Sequence, residues 1–397
     1  MPSSTSLVLL IGFAVSTFAA PKVDLLIDHG FQKSGRIDLR DGVLDAVSRR
    51  KGQTFHFGST YDTSNPNMTW TADIFRSFFN HVVAENECKW EATEPSSGVS
   101  NLTECIAVRD FATKHSDSFR GHNTFWHSQT PTWLPGNFSA GELVDTIIPT
   151  HVRAEIAGLG HSVTSWDVVN EVVGDNVTFG MTPLECVQNK QAWPTVTFDG
   201  SDVPLIKDLS FLHTAFRTAF EATAKNTRLA LNEYSTGANN AKTACTIAVL
   251  KDIQKNTKVP FDRLAMGFQS HIQETSFVSK ADLTNTFASL ARIGVESMVT
   301  EIDIALTSGD EEDLRMQAAI WGDYLDACLF ARNCNEFINW DTRDDVSWLG
   351  VDKAGTLFDK NGDPKPAAYE VAARLTRFAR GDRELCATTL GIDSCRV

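Results

Sequence analysis

Two glutamates stand where their carboxyl groups could act together on one bond. Glu171 closes the segment 166–171 (WDVVNE), in which an apolar, β-branched run stops abruptly on an amide and a carboxylate. Glu301 lies within the apolar segment 299–303 (VTEID). Two carboxyl groups on opposite sides of a glycosidic bond can give a proton to the leaving oxygen and electron density to the anomeric carbon. The pair therefore predicts the hydrolysis of a glycoside.

Neighbouring side chains distinguish the two glutamates. A buried glutamate without partners has a raised pKa, so a nucleophile needs hydrogen-bond donors that keep it ionised. His271 could donate to Glu301 and rest against Asp303. Asp167 lies four residues before Glu171, on the same face of a continuing strand, where its charge would help to keep Glu171 protonated. These neighbours suit Glu301 to an ionised state and Glu171 to a protonated one.

Eight short apolar or aromatic runs would position these groups. The runs alternate with helical patterns such as 209–225 and 313–331, and such alternation implies parallel strands. Eight units of this kind predict a closed (β/α)8 TIM barrel, an α/β fold in a single domain, with the strand ends facing one cleft. The predicted strands are 54–59, 81–90, 119–127, 163–171, 228–234, 265–272, 297–304 and 336–342.

Composition and motif content exclude several classes of protein. The 397 residues carry a formal net charge of −14, which argues against nucleic acid as a partner, because its binding needs clustered Lys and Arg. His122, His127 and His271 lack the H-x-H or H-x-x-x-H spacing of metal ligands, and no glycine-rich phosphate loop is present. We therefore expect no metal, no cofactor and no membrane association, and we expect a monomer.

The N-terminus is expected to direct secretion. An apolar run at 7–18 is followed by Ala19-Ala20-Pro21, and small residues at this point suit the cleavage of a signal peptide. The run is too short for a membrane anchor, which needs about 20 apolar residues. We predict a signal peptide at 1–19 and an extracellular catalytic domain at 20–397.

Eight cysteines fit an oxidising compartment. No C-x-x-C pair occurs, so disulfides are a better interpretation than zinc binding. The local pairs Cys328–Cys334 and Cys386–Cys395 are expected first. Cys88–Cys105 and Cys186–Cys245 are the favoured remainder, although four cysteines permit three pairings. Sequons for N-glycosylation, each a weak signal alone, lie at Asn67, Asn101, Asn137 and Asn176.

The motifs taken together resemble glycoside hydrolase family 10, a barrel family in which endo-β-1,4-xylanases predominate. They occur in the family's order over about residues 55–375, so the ordered set is far more specific than any one of them. The matching pieces are 85–91 (ENECKWE) with Glu94-Pro95, 120–122 (RGH), 126–129 (WHSQ), 166–171 (WDVVNE), 267–271 (GFQSH), 300–303 (TEID), Trp340, Asp344, Ser347, Trp348, 357–359 (LFD) and 364–367 (PKPA).

The resemblance implies a retaining mechanism and a role for each matching residue. Glu171 would be the general acid/base, and Glu301 would be the nucleophile that forms a glycosyl-enzyme. Asn170 would contact the 2-hydroxyl of the reacting sugar, and His271 and Asp303 would tune Glu301. Further sugar contacts would come from Lys89, His122, Trp126, Gln129, Gln269, Trp340 and Trp348, and from Glu85 and Asn86 one sugar further outward.

Departures from the family's pattern leave the substrate open. The family usually has Met at the position of Cys88, Gly at that of Asp341 and an Asn-Asp-Tyr-Asn stretch at 232–235, which here reads NEYS. A long segment, 172–203, follows Glu171. Cell-wall xylan is the expected partner, and the alternative is a glycosylated plant metabolite such as a steroidal saponin, the substrate of tomatinase in this family. A hypothesis from another class is an inactive carbohydrate-binding or elicitor protein.

The Cys328–Cys334 pair also resembles a disulfide of the family's fungal members. The resemblance thus favours a secreted fungal enzyme.

Overall fold

The computed structural model describes residues 37–64, 68–134, 139–188, 190, 195–198, 201–204 and 208–382. The predicted signal peptide, the Cys386–Cys395 pair and the sequons at Asn67 and Asn137 lie outside this part of the chain. Asn101 and Asn176 lie within it, and both are exposed. No helix among the described residues is long and apolar enough to cross a membrane.

The described strands build a closed parallel barrel. They are β1 (His56–Tyr61), β2 (His81–Ala84), β3 (Ser118–His122), β4 (Val163–Asn170), β5 (Thr195–Phe198), β6 (Ser201–Pro204), β7 (Arg228–Glu233), β8 (Leu264–Phe268), β9 (His271–Gln273), β10 (Glu296–Ala305) and β11 (Cys334–Asn339). Eight of these described strands (β1, β2, β3, β4, β7, β8, β10 and β11) form the barrel, and β11 closes it against β1. Strands β5 and β6 pair antiparallel, and β9 pairs with the end of β10. The predicted (β/α)8 barrel is confirmed.

Helices connect the barrel strands and surround them. Caps define their ends: the Asp310 carboxylate accepts from the N–H groups of Glu312 and Asp313 at 3.0 Å each, and the last helix starts at Pro366. The helices are α1 (Val43–Lys51), α2 (Met68–Ser77), α3 (Trp90–Thr93), α4 (Thr103–Lys114), α5 (Ala140–Glu142), α6 (Ile148–Leu159), α7 (Pro183–Gln188), α8 (Ser210–Ala222), α9 (Ala241–Thr257), α10 (Lys280–Ile293), α11 (Glu311–Phe330) and α12 (Pro366–Arg380).

Four predicted strands extend well beyond the observed ones at their carboxyl ends. The run 81–90 is a strand only to Ala84, the run 119–127 only to His122 and the run 336–342 only to Asn339, and the run 265–272 divides into β8 and β9. Beyond Ala84 the chain turns, with the Lys89 N–H donating to the Asn86 carbonyl at 3.1 Å. The polar residues that follow these strands therefore lie in turns at the barrel mouth rather than in the sheet.

The barrel interior is strongly polar near β3. The Arg120 guanidinium is buried and forms ion pairs with Asp167 of β4 and Glu336 of β11. Ala230, Ala265 and Met298 form a small apolar cluster beside the Arg120 guanidinium. A buried charge is costly unless it is paired, so these residues must fold together.

Close packing outside the barrel explains one glycine of β3. A Cβ atom on Gly121 would lie 2.1 Å from the ring of Trp166 on the adjacent strand. Trp166 is completely buried in the main apolar core, between the sheet and the helices. The glycine thus admits the tryptophan that begins the segment ending at Glu171.

Three disulfides link described segments of the chain. Within the described residues, Cys88 bonds to Cys105, Cys186 to Cys245 and Cys328 to Cys334, and these predicted pairings are confirmed. The Cys186–Cys245 bond joins α7 to α9. A cross-link of this kind restricts the unfolded chain and so stabilises the fold. It also ties the long segment after Glu171 to the body of the barrel.

Candidate active site

The two predicted catalytic glutamates reach the carboxyl end of the barrel in different ways. Glu301 lies within β10 and is buried. Glu171 is the first residue after β4, with a φ of 57°, and its N–H donates to the Asn232 carbonyl at 2.9 Å. A non-glycine residue in the left-handed region is uncommon and is kept where the surroundings hold it. The backbone turn, not strand alternation, therefore directs the Glu171 side chain.

A chain of side-chain amides connects the two carboxyl groups. Asn232 Nδ2 donates to Glu301 Oε1 at 2.6 Å and to Asn170 Oδ1 at 2.9 Å. Gln269 Nε2 donates to the same Asn170 oxygen at 3.1 Å and to Glu171 Oε1 at 3.0 Å. Because Asn170 Oδ1 already accepts two bonds, Asn170 can offer its N–H groups to a ligand. This amide chain positions the two carboxyl groups relative to each other.

Asn232, the member of the amide chain next to Glu301, is itself held in place by two neighbours. Thr300 Oγ1 donates to Asn232 Oδ1 at 2.7 Å, which orients the amide so that its nitrogen faces Glu301. A Cβ atom on Gly267 of β8 would lie only 2.2 Å from the same Oδ1 atom. The absence of a side chain on Gly267 therefore makes room for the Asn232 amide.

A histidine supports Glu301 as predicted. His271 Nε2 lies 3.0 Å from Glu301 Oε2, and His271 Nδ1 lies 2.8 Å from Asp303 Oδ2. Burial acts to lower the pKa of His271, but Asp303 and Glu301 raise it to about 10. His271 is therefore an imidazolium that donates to both carboxylates. Trp348 Nε1 donates to the same Asp303 oxygen at 2.7 Å.

The environment of Glu171 differs from the prediction. Burial acts to raise the pKa of Glu171, but hydrogen bonds with His127 and Gln269 lower it to about 2. His127 Nε2 lies 2.9 Å from Glu171 Oε2. The expectation that Asp167 keeps Glu171 protonated is wrong. Because the chain turns at Glu171, the two carboxylates do not share one strand face.

Asp167 instead belongs to the buried polar network of the barrel interior. Burial acts to raise its pKa, but Arg120 and His122 outweigh burial and lower it. Arg120 Nε donates to Asp167 Oδ2 at 3.1 Å, and His122 Nδ1 lies 2.9 Å from the same oxygen. His122 Nδ1 is also 3.9 Å from Glu301 Oε1. Asp167 therefore supports the site by orienting His122 beside Glu301.

One group of side chains has the composition of a metal site. Ligand atoms of His122, Asp167 and Glu301 lie within 4.8 Å of one another. However, Arg120 and His122 already occupy the Asp167 carboxylate, and the guanidinium places a positive charge where a cation would have to bind. These residues are accounted for as a hydrogen-bonded support for Glu301.

Predicted sugar contacts meet beside the glutamates. Lys89 Nζ donates to Asn86 Oδ1 at 2.9 Å, and Gln129 Nε2 donates to the same oxygen at 3.2 Å. Lys89 Nζ also lies 5.1 Å from the centre of the Trp126 ring. Burial lowers the pKa of Lys89, whereas Glu301 and Glu85 act to raise it. This cluster connects the predicted outer sugar contacts to Glu301.

Two tryptophans border the same cleft. The Trp340 ring lies edge-on to His122 at 5.1 Å, and the Trp348 ring lies edge-on to His271 at 4.9 Å. Trp340 is buried, whereas Trp348 is 57% exposed. An exposed indole that is held by its own N–H can present its face to a sugar. The structure thus brings the predicted sugar-binding residues around Glu171 and Glu301.

Comparison with known proteins identifies the family. Residues 44–374, more than half of the chain, match the sequence model of Glycosyl hydrolase family 10. The protein belongs to this family. It is therefore a glycoside hydrolase.

Several relatives of this family 10 enzyme are named xylanases. Endo-1,4-beta-xylanase 2 of Aureobasidium pullulans is 28% identical over 319 residues, which cover 77% of this chain and 82% of the relative. Native xylanase 10B of Thermotoga maritima has a TM-score of 0.73 at 25% identity, covering 87% of this chain and 100% of that chain. Xylanase 10B of Thermotoga petrophila RKU-1, in complex with xylobiose, has a TM-score of 0.72 at 26% identity, and the match covers 87% of this chain and 99% of that chain.

Sequence reasoning assigned no role to three side chains that support the glutamates of this family 10 enzyme directly or through a neighbour. Asn232 interrupts the apolar strand β7, Arg120 places a charge in a strand expected to be buried, and His127 adjoins the predicted contact Trp126. A polar residue in an apolar run needs a hydrogen-bonding or charged partner when it is buried. This need was the signal in the sequence that Asn232 and Arg120 have a structural role. The partner lies on another strand, so the sequence does not show which residue it is.

A charged cluster occupies the 232–235 segment that departs from the family pattern. Glu233 is completely buried, and its Oε1 accepts from the Val173 N–H at 2.7 Å. Lys242 Nζ lies 3.6 Å from Glu233 Oε2 and 3.2 Å from the centre of the Tyr234 ring. Burial raises the pKa of Glu233 to about 7, although Lys242 acts to lower it. The Tyr234 hydroxyl donates to Asp175 at 2.6 Å.

Proposed function

We propose that this protein is a secreted endo-β-1,4-xylanase that retains anomeric configuration, with Glu301 as nucleophile and Glu171 as acid/base. The observation that carries the proposal is the amide chain through Asn232, Asn170 and Gln269, which contacts both carboxyl groups. The xylanase names of the relatives, and the xylobiose complex of one of them, support xylan as the substrate.

In the first step, a Glu301 oxygen forms a bond to the anomeric carbon. The bond from that carbon to the leaving oxygen breaks, and Glu171 gives its proton to the leaving oxygen. His271 donates to Glu301 and holds the other carboxylate oxygen in place. Since the free site favours the ionised form of Glu171, Glu171 has to gain a proton before it can act as the acid.

In the second step, water attacks the anomeric carbon of the glycosyl-enzyme. Glu171, now a carboxylate, takes a proton from the water, and Glu301 leaves as a carboxylate. Two displacements at one carbon retain its configuration. Asn170, with its oxygen already occupied, is suited to donate to the sugar 2-hydroxyl during both steps.

Sugar binding is assigned to the residues around the glutamates. Lys89, His122, Gln269, Trp340 and Trp348 would hold the reacting sugar. Glu85, Asn86, Trp126 and Gln129 would complete the cleft, with Glu85 and Asn86 one sugar further outward.

We further propose that residues 1–19 are a signal peptide and that residues 20–397 are the secreted, monomeric catalytic domain. The three disulfides of the described residues support an oxidising destination, and fungal relatives support a fungal source. N-terminal sequencing of secreted protein should begin at Ala20. A mature chain that still carries 1–19 would contradict the assignment.

The deciding experiment compares the protein and Glu301→Gln on xylan, β-glucan and a panel of steroidal saponins. Wild-type protein should release reducing ends from xylan, and Glu301→Gln should release none. Proton NMR of the first product should show the β-anomer before mutarotation. The α-anomer as first product would contradict a retaining mechanism.

The remaining outcomes separate the alternatives. Release of an oligosaccharide from a saponin, without action on xylan, would replace the proposed substrate by a glycosylated plant metabolite. Inactivity on every glycan, together with measurable binding to one of them, would instead support a carbohydrate-binding protein.

A further inference from the structure

Glu171 stands at a backbone turn that is bonded on its incoming side and at its centre. On the incoming side, the Asn170 N–H donates to the Phe125 carbonyl at 2.9 Å. Glu171 itself has a φ of 57°, and its N–H donates to the Asn232 carbonyl at 2.9 Å. A residue with a side chain persists in the left-handed region only where its surroundings hold it. The residues that leave the turn, 172–175, therefore share in setting the direction of the Glu171 carboxyl group.

The end of β7 supplies two side chains that bind the residues after Glu171. The Val173 N–H donates to Glu233 Oε1 at 2.7 Å, and both residues are completely buried. The Tyr234 hydroxyl donates to Asp175 Oδ1 at 2.6 Å. A carboxylate and a phenol thus continue, beyond the strand ends, the contact that main-chain groups make between β4 and β7.

Lys242, in the first turn of α9, lies at the centre of these contacts. Its Nζ donates to Asp175 Oδ1 at 2.8 Å and lies 3.6 Å from Glu233 Oε2. The same atom lies 3.2 Å from the centre of the Tyr234 ring. Because the Lys242 side chain is only 7% exposed, its charge is balanced by the two carboxylates and the aromatic face rather than by water. One cation therefore holds Asp175 and both side chains that bind the segment after Glu171.

A disulfide from the same part of α9 holds this segment a second time. Cys245 lies three residues after Lys242, on the same face of the helix, and bonds to Cys186. The Gly174 N–H donates to the Cys186 carbonyl at 2.9 Å. The chain after Glu171 is thus attached to α9 by an ion pair and by a covalent bond. The covalent bond remains when the ion pair is removed, so the ion pair can be tested without releasing the segment.

We propose that Lys242 is a positioning residue for the acid/base Glu171, whose direction it fixes through the segment 172–175. The proposal rests on the proposed function, in which Glu171 protonates the leaving oxygen. Removal of the Lys242 charge leaves Glu233 and Asp175 without the cation that joins them, so the bond from Glu233 to the Val173 N–H weakens. The turn then loses its support on the outgoing side.

The consequence should fall on one catalytic group and spare the other. Glu171 would point less accurately at the leaving oxygen when the turn loses its support. Glu301 would keep the contacts that Asn232 and His271 make with it from β7 and β9. Loss of Lys242 should therefore slow the reaction where an acid is needed and leave nucleophilic attack nearly unchanged.

Three variants test this role. Lys242→Met removes the charge but keeps an unbranched side chain that can fill the same space. Asp175→Ala removes only the outer end of the cluster, since the Asp175 side chain is 58% exposed. Lys251→Met is the matched control, because Lys251 is an exposed lysine of the same helix. Thermal unfolding of each variant establishes that it folds.

The first readout compares two aryl β-xylobiosides. A phenyl leaving group needs a proton, whereas a dinitrophenyl group does not. In Lys242→Met, kcat for the phenyl substrate should fall by roughly 10- to 100-fold, the order expected when a catalytic group is misplaced by about 1 Å. Stopped-flow release of dinitrophenolate should stay within about threefold of wild type. Asp175→Ala should show a smaller loss on the phenyl substrate, and Lys251→Met should show none.

The ratio of the two rates distinguishes positioning from a general loss of structure. A smaller fraction of folded protein lowers both rates by the same factor and leaves their ratio unchanged. Misdirection of Glu171 changes the ratio, because only one of the two substrates depends on the acid.

The second readout does not depend on hydrolysis. Hydrogen exchange of the Glu171 and Val173 amides, followed by NMR, should be about 10-fold faster in Lys242→Met, the order for the loss of one hydrogen bond from a local structure. Lys251→Met should exchange these amides at the wild-type rate. If no glycan is hydrolysed, the proposed function fails, but the exchange rates still decide whether Lys242 holds the turn.

The inference is overturned if Lys242→Met slows both aryl substrates by the same factor. It is equally overturned if the Glu171 and Val173 amides exchange in Lys242→Met as slowly as in the wild type. Activity of the wild-type protein on xylan would leave the proposed function standing in either case.

Discussion

Asn232 Nδ2 donates to Glu301 Oε1 over 2.6 Å, and this bond joins the predicted nucleophile to the amide chain that ends at Glu171. The same nitrogen donates to Asn170 Oδ1 at 2.9 Å. A single side chain thus positions the group that would attack and the amide that would contact the sugar. Fixed donors of this kind are effective because they need no reorganisation during the reaction.

Removal of this donor should impair catalysis more than binding. Asn232→Ala is expected to lower kcat on xylan by about 100-fold, as for the loss of one preorganised donor, with a smaller change in KM. Thr300→Val is the matched control, because it loses only the bond that orients Asn232 from behind at 2.7 Å. Thr300→Val should lower kcat less than Asn232→Ala does. Equal losses in the two variants would contradict a direct role for Asn232.

Substitution of the predicted acid should affect substrates according to their leaving groups. Glu171→Ala is expected to lower kcat/KM on xylan by about 1,000-fold, within the range for general acid catalysis. A dinitrophenyl β-xylobioside needs no protonation, so its glycosylation rate should stay within about 10-fold of wild type. Stopped-flow release of dinitrophenolate measures that rate. Loss of the same size on both substrates would contradict the acid role.

His127 should set the charge of Glu171. Their contact contributes to a pKa of about 2 for Glu171, so its removal should raise that pKa towards the ordinary value of 4.5. The alkaline limb of kcat/KM on xylan should therefore move to higher pH in His127→Ala. In His127→Gln, which retains an N–H donor, the alkaline limb should move less. An unchanged limb in His127→Ala would show that this contact does not govern Glu171.

Gly267 should act only through Asn232. In Gly267→Ala the new Cβ would lie 2.2 Å from Asn232 Oδ1, so the amide must move away from Glu301. We expect kcat to fall by about as much as in Asn232→Ala, and we expect no further loss in the double variant. Gly141→Ala is the control, since its nearest contacts lie at 3.8 Å or more. Additive losses in the double variant would contradict this coupling.

Glu233 should make stability depend on pH. Its pKa is raised from 4.5 to about 7, so the folded state holds a proton that the unfolded chain has lost. Its contribution is complete below about pH 4.5 and disappears as pH rises to about 7, a change of about 3 kcal/mol in the free energy of unfolding. Glu233→Gln should show a correspondingly smaller decline between these pH values in urea unfolding.

The control for Glu233 is Glu311→Gln, because the Glu311 side chain is 78% exposed. This variant should reproduce the wild-type pH dependence of unfolding. If Glu233→Gln also does so, the Glu233 proton does not contribute to stability.

The barrel could be predicted from the sequence because its signals are local. Each predicted run overlaps a barrel strand, since β-branched and apolar residues such as those of 163–169 are typical of buried parallel strands. Strand ends are less certain. At Glu85 and at Asn123 the side chains alone do not indicate that the chain turns away from the sheet.

The relationships between residues on different strands could be predicted only in part. His271 was matched correctly to Glu301 and Asp303. His271 follows β8 and begins β9, and both strands pair with β10, which carries Glu301 and Asp303. Asp167 was matched wrongly to Glu171, because the left-handed turn at Glu171 changes the direction of its side chain. Sequence spacing predicts which side chains share a face only where the backbone is regular. At the barrel mouth the backbone turns, so the spacing no longer predicts the direction of a side chain.

The pairing of Arg120 with Asp167 and Glu336 has a consequence for saline surroundings. All three side chains are withdrawn from water, and dissolved ions screen exposed charges far more than buried ones. A high salt concentration that weakens the ion pairs on the protein surface therefore leaves this buried pairing intact. Through Asp167 and His122 these buried charges continue to act on Glu301, so their contribution to its electrostatic surroundings depends little on the ionic strength of the medium.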